Sequence, residues 1–554
     1  MKIAHATIAW LLLLLVISIP ASARSTATWS AAPTPALTVS PQSIVGRDDP
    51  RPAAFALDSS ASTIFLPAIT QQVEDLPPAS ACPFSLQIAA LHQVMPLEQQ
   101  GVDAQSQARW LALYEEAFPT LVQALEESGA CGTRLRIDWA LIQPDPPPAA
   151  YDWESFHDEK LSLVAAAGVQ VLAHVDNVPG WAGDSAHGPI APGRLDEFAQ
   201  FLSDLVHRYK EPPYNIHHWE LFNEPDQTVP AGSEFGWGLN GNEYAEMLAW
   251  AYPAIKSADP EATVLMGGLA HDRFFNPDPE YPENGGPFYR YFPDEVMAAG
   301  GGEYLDVLNF HYFPDFSREW ERWDPNSEER LAGWLPAATC GNVYDGQGAV
   351  YEAGGIDLMA KTSHYRNRLL TCYGIEKPIW VTEVGEHGYR DDPDSLIQQA
   401  RYVIQAHARG LAAGAANITW FVLVSPPYDP HQQGLLYEHD WSPKPAYYAY
   451  QTLASELRTY RYERTLEAAG VEGYIFRDRH GQEKTVAWWA EEWPPSGSLM
   501  VSPAGSLRVV DRAGAVTYVQ DGGPRDMDGI PDGVVTLAMT LEPVFISEQG
   551  GALQ

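Results

Sequence analysis

Eight times between residues 84 and 424, a short apolar run rich in β-branched residues is followed by a polar turn, and helical patterns lie between the runs. The runs are FSLQIAAL (84–91), TRLRIDW (133–139), VQVLAHV (169–175), IHHWELF (216–222), TVLMGGL (263–269), YLDVLNFHYF (304–313), PIWVTEVG (378–385) and NITWFVLV (417–424). Between them, segments such as RLDEFAQFLSDLVHRYK (194–210) and SLIQQARYVIQAHARGLAAG (395–414) place apolar residues at helical spacing, and glycine closes several of them. Regular alternation of strand and helix predicts a parallel sheet, and eight units predict that it closes: an α/β chain folded as a (β/α)8 TIM barrel. A doubly wound sheet would usually carry a glycine-rich phosphate loop after its first strand, and none is present.

The texture changes after KPAYYAYQTLASELRTY, the eighth helix. GYIFRDRHGQEKTVAWWAE, SLRVVDRAGAVTYVQDGG and GVVTLAMTLEPVFIS read as short alternating strands with turns, which predicts a C-terminal antiparallel β-sandwich. The expected division is a barrel over 81–459 and a sandwich over 460–554. Residues 1–24 read as an export signal: Lys2, the apolar IAWLLLLLVISI, then small residues in PASARS around Ala21 to Ala23. Residues 25–80 are rich in Ser, Thr, Ala and Pro and read as a linker or arm. The expected location is therefore extracellular, free or held at the cell surface by the N-terminal segment, with no membrane contact once the signal is cleaved.

An exported chain makes its four cysteines candidates for two disulfides. Cys82 and Cys131 each directly precede one of the first two strands, and neighbouring strand starts meet at the barrel bottom. Cys340 and Cys372 flank the sixth helical region. The expected pairs are Cys82–Cys131 and Cys340–Cys372. Irregular spacing without a CxxC argues against zinc. DMDGIPDG (526–533) has the rhythm of a calcium loop without its full ligand set, and a hairpin explains it equally well. No metal and no cofactor is expected. With a net charge of −38, the chain repels phosphate backbones, so nucleic acid is not an expected partner.

Chemistry in such a barrel sits at the C-terminal strand ends. Strand four ends in Asn223-Glu224-Pro225 and strand seven in Thr382-Glu383, three βα units apart and therefore across the mouth from one another. Two carboxylates facing over a cleft suit glycoside hydrolysis: one protonates the leaving oxygen, the other attacks the anomeric carbon or activates water. Glu386 is a second carboxylate near strand seven. Glu220, counted by strand parity, faces away from Asn223, as in a barrel–helix ion pair.

With LFNEP on strand four and IWVTEVG on strand seven, in that order, the chain resembles clan A of the glycoside hydrolases over about residues 83–459, closest in look to family 39 or family 5. The resemblance implies a retaining (β/α)8 glycosidase, with Glu224 as acid/base, Glu383 as nucleophile and Asn223 on the sugar 2-hydroxyl. It implies Arg136 beside the nucleophile, His311 and Tyr312 at the end of strand six with Tyr312 bonded to the nucleophile, and Trp420 as a sugar platform. The family's usual His-x-Tyr is His311-Tyr312 here, a departure at Tyr312. His174, Asn177 and Trp181, after strand three, complete the candidate substrate-binding set. The implied function is a secreted O-glycosyl hydrolase acting on an oligo- or polysaccharide. The competing reading is a carbohydrate-binding or adhesion protein without catalysis.

Overall fold

The computed structural model describes residues 82–89, 104–153, 158–228, 236–271, 288–289, 291–313, 358–427, 429, 431–490, 496–503 and 505–549. The export signal and linker expected over 1–80, and residues 314–357, lie outside these residues.

Eight parallel strands lie in the order β5-β4-β3-β2-β1-β8-β7-β6. They are β1 (Phe84–Leu86), β2 (Gly132–Asp138), β3 (Gln170–Asp176), β4 (His218–Asn223), β5 (Thr263–Gly268), β6 (Leu308–Tyr312), β7 (Ile379–Val384) and β8 (Asn417–Trp420). Parallel bridges Leu265–Val307 and Leu269–Phe310 join β5 to β6, so the barrel closes as expected. Most strands are shorter than the apolar runs that predict them, because the runs continue into buried loop residues such as Ile88 and Leu423. Nearly continuous apolarity follows from burial on both faces, inside the barrel and beneath the helices. Helix Leu195–Tyr209 shows the matching one-sided pattern, burying Leu195, Phe198, Phe201, Leu202, Leu205, Val206 and Tyr209.

Beyond the barrel, β9 (Tyr460–Thr465), β10 (Val471–Asp478), β11 (Glu483–Trp489), β13 (Leu507–Asp511), β14 (Val516–Val519) and β16 (Val544–Glu548) form one antiparallel sheet. β12 (Ser496–Val501) pairs with β15 (Val535–Thr540) as a ribbon. Alternation sorts the sheet's side chains. Ala487, Trp489 and Ile546 meet Leu499, Leu537 and Met539 of the ribbon. Val486, Trp488 and Phe545, one residue out of phase, join the barrel's core. Charged pairs reinforce that second contact: Arg409 of helix Pro393–Ala412 holds buried Glu472 through Nε and Nη2 at 2.7 and 2.8 Å. Glu456, from helix Pro445–Leu457, receives Lys484 at 2.6 Å and Arg508 at 2.9 and 2.8 Å.

Cys82–Cys131 forms a disulfide between the starts of β1 and β2, with Cα atoms 5.9 Å apart. Cys372 is also disulfide-bonded, and Cys340 lies outside the described residues. In the loop at 521–533 the aspartates are occupied by local donors. Asp521 accepts from the Asp532 and Gly533 N–H groups, Asp526 from Gly522 and Thr536, and Asp528 from Ile530. This is the hairpin reading of DMDGIPDG. Among the described residues no helix is long and apolar enough to cross a membrane.

Candidate active site

Both strands that carry the candidate carboxylates break their own alternation just before the barrel mouth. In β4, Glu220 points inward and Leu221 outward. Phe222 would then be expected inward, but its backbone takes a φ of +68°, and its ring packs outside against Phe198, Trp237 and Tyr244. Asn223 is returned to the interior, and Glu224 follows with a φ of +43°. A left-handed conformation in a large non-glycine residue is uncommon and held by its surroundings. In β7 the pairing with β6 runs Phe310–Val381, then His311–Glu383, skipping Thr382. This bulge sends Thr382 and Glu383 into the barrel together, Thr382 Oγ1 accepting from Asn309 Nδ2 at 3.0 Å.

The result is a buried charge cluster. Ligand atoms of Glu224, His311 and Glu383 all lie within 4.8 Å of one another. His311 Nδ1 is 2.9 Å from Glu224 Oε1 and 3.5 Å from Glu383 Oε2. The imidazole lies against Gly268, where any Cβ would sit 2.2 Å from His311 Nε2. Only glycine fits there. Glu383 is almost fully buried, whereas the Glu224 side chain keeps 15% exposure and borders the opening.

Arg134 organises this cluster. Its Nη1 donates to Glu383 Oε1 at 2.5 Å, Nε and Nη2 grip Glu220 at 2.6 and 3.0 Å, and Nη2 also reaches Asn223 Oδ1 at 2.9 Å. The last bond engages Asn223 Oδ1 and leaves Nδ2 as the amide's donor. Burial raises the carboxyl of Glu224 to about 7. Burial also raises Glu383, opposed by His311 and Arg134. For His311, burial lowers the pKa to about 4, so the ring is neutral at pH 7.

Several expected residues stand elsewhere. Arg136 is not the cation on Glu383; it faces Asp176 at 3.5 Å. Arg134 and Arg136 share a strand face, and parity cannot tell which of two depths meets β7. Glu220 is inside the barrel rather than in a barrel–helix pair, and it also accepts from Gly268 N–H and Asn309 Nδ2. The φ at Phe222 invalidates the parity count that placed it outside. Tyr312 is buried but does not bond Glu383. Phe310 packs outward against Tyr365, and Tyr312, two residues on, shares that face, while Glu383 Oε2 has no hydrogen-bond partner. Trp420 is no platform: it shares the outward face with Ile418, which touches helix residue Gly410. Its ring lies 6.3 Å from Tyr402 and 6.4 Å from His407.

Asn223 and His311 stand in the cluster as expected, and His174 is buried close by. Arg134, after burial itself, is the main influence that lowers the His174 pKa. Asn177, with φ +69°, donates to both carboxylate oxygens of Asp138 and ties the loops after β2 and β3. Trp181 lies in the same loop layer, edge-on to Trp139 and donating to the Gln143 carbonyl, outside the cluster. Glu386 is buried just past β7, where it accepts from the His387 N–H. Two aromatic residues were missed. Phe421 and Phe313, directly after β8 and β6, meet edge-to-face at 5.7 Å beside Gly385. Continuing the alternation one residue past Trp420 would have found Phe421.

No family model matches the chain. No curated protein matches it in sequence. Solved structures do share its fold. A family 39 glycoside hydrolase from the gut symbiont Bacteroides cellulosilyticus is similar at 19% identity, covering 78% of this chain and 79% of that one, with a TM-score of 0.57. The catalytic domain of GH30 xylanase C from Talaromyces cellulolyticus is similar at 12% identity, covering 84% and 96%, with a TM-score of 0.50. These likenesses show the fold alone: a closed parallel barrel followed by an antiparallel sheet domain.

Proposed function

We propose that the protein is a retaining glycoside hydrolase acting by double displacement. One observation carries the reading. Carboxylates from the ends of β4 and β7 approach within 4.8 Å, below the roughly 6.5–9.5 Å that leaves room for a water in inverting enzymes. Glu383, ion-paired to Arg134, attacks the anomeric carbon. Glu224, whose carboxyl is pushed up to about 7, gives its proton to the departing glycosidic oxygen as that bond breaks. A glycosyl ester on Glu383 results. Glu224, now a carboxylate, takes a proton from water, whose oxygen attacks the same carbon and frees Glu383. Asn223, its amide oriented by Arg134, holds the sugar 2-hydroxyl.

The substrate is a carbohydrate O-glycoside. The structural likeness to a family 39 glycoside hydrolase and to a xylanase puts aryl xylosides first in a panel that also includes glucosides and mannosides. The chain acts outside the cell, with residues 1–24 as its export signal. The test is hydrolysis of that panel by wild type and by Glu383→Gln, with the first-formed anomer followed by NMR. A glycoside cleaved with retention by wild type alone supports the reading. No cleavage of any member supports the carbohydrate-binding alternative, and first release of the opposite anomer rules out retention.

A further inference from the structure

The same three residues offer an arrangement that the glycosidase reading does not use. Glu224 Oε1, His311 Nδ1 and Glu383 Oε2 are a mixed oxygen–nitrogen donor set of the kind zinc takes. Tetrahedral coordination at about 2.1 Å places neighbouring ligand atoms about 3.4 Å apart. Two edges of the triangle, 2.9 and 3.5 Å, already match that spacing. Between the two carboxylates, one oxygen of each lies within 4.8 Å of the other, and Glu224, which borders the opening, can rotate to close that edge. Glu383 Oε2 is buried and without a hydrogen-bond partner, with His311 Nδ1 3.5 Å away. A buried carboxylate oxygen left unpaired is costly, and a cation would satisfy it.

We propose that Glu224, His311 and Glu383 form a binding site for a divalent transition-metal ion of the zinc type, and that the ion inhibits the enzyme by occupying the place of the sugar's anomeric carbon. The inhibitory half rests on the glycosidase reading; the binding half does not. Three protein ligands leave the fourth position open toward the cleft. Arg134 on Glu383 Oε1 and Lys361, which donates to the His311 carbonyl at 2.8 Å, both repel a cation. The site is therefore reversible and of modest affinity rather than structural, and it needs no metal to fold.

Binding is read by competition of the full protein with a chromophoric zinc chelator, which needs no activity. Wild type should take one equivalent of Zn²⁺. His311→Gln and Glu383→Gln should each weaken that uptake about 100-fold, while Glu386→Gln, outside the cluster, should leave it unchanged. Thermal melts identify variants that fail to fold. In kinetics, Zn²⁺ should raise the apparent KM of an aryl glycoside without changing kcat, and EDTA should restore it. Absence of zinc uptake by wild type, or equal uptake by a folded His311→Gln protein, would overturn the site. Zinc uptake with unaltered glycoside kinetics would overturn the inhibition. Uptake by a protein that cleaves no glycoside would leave the site standing and remove the glycosidase reading.

Discussion

Replacing Arg134 by Met should separate two jobs done by one guanidinium. Arg134 contacts Glu383 at 2.5 Å and is fully buried. Opposite charges about 4 Å apart interact by about 4 kcal/mol at an effective dielectric near 20. That is about three pKa units at about 1.36 kcal/mol each. The lost cation raises the Glu383 pKa, so the proposed nucleophile is protonated over a wider acidic range. The acidic limb of kcat/KM against pH should move up by about three units, each unit below the limb costing about tenfold in rate. Stability should fall as well, because Glu220 is wholly buried and held bidentate by the same residue. Breaking one side of a buried pair costs about 3–5 kcal/mol. Adding Glu220→Gln should recover much of the stability and none of the acidic limb. The assays are pH–rate profiles and denaturant unfolding of wild type, Arg134→Met, Arg134→Met/Glu220→Gln and Arg136→Met. If Arg134→Met left the acidic limb where wild type has it, or if Arg136→Met moved it further, the assignment of Arg134 to the nucleophile would be wrong.

Wild-type kcat/KM should decline as pH rises through about 7, where the raised carboxyl of Glu224 loses its proton; a profile still flat above pH 8 would contradict this. Glu224→Ala should spare glycosyl-enzyme formation from activated aryl glycosides, and azide should rescue turnover as a glycosyl azide of unchanged configuration, checked by NMR. Trp420→Ala should cost about 3–5 kcal/mol of stability with little change in KM, whereas Phe421→Ala should raise KM; paired melts and kinetics decide between them. Reduction of Cys82–Cys131, 49 residues apart in sequence, should cost about 4 kcal/mol in the chain-entropy model, and non-reducing peptide mapping that found Cys82 joined to Cys372 would refute the pairing.

The barrel and both carboxylates were legible because each rests on a local signal: apolar runs of strand length, and an acid at a strand end. What parity could not supply was side-chain direction near the mouth. Strict alternation misplaces Glu220 because Phe222 adopts a left-handed backbone, a conformation with no residue signature when the residue is phenylalanine. The same rule, taken past the strand's end, separates Trp420 from Phe421, whereas the family resemblance points to Trp420. Choosing Arg134 over Arg136 needs the depth at which β2 meets β7 across the barrel, and depth depends on strand tilt and stagger rather than on composition.

The sheet formed by β9, β10, β11, β13, β14 and β16 is covered on both faces, by the ribbon on one side and by the barrel on the other. A domain joined to its neighbour only by a flexible tether can be lost or exchanged without harm to that neighbour. This C-terminal region cannot be handled in that way. A stop at residue 459 would strip partners from Arg409 and Glu456 and uncover the apolar wall that Trp488 and Phe545 now close. The severed barrel would be prone to aggregate, so the smallest unit that can be expressed, evolved or recombined includes the sheet through its last strand.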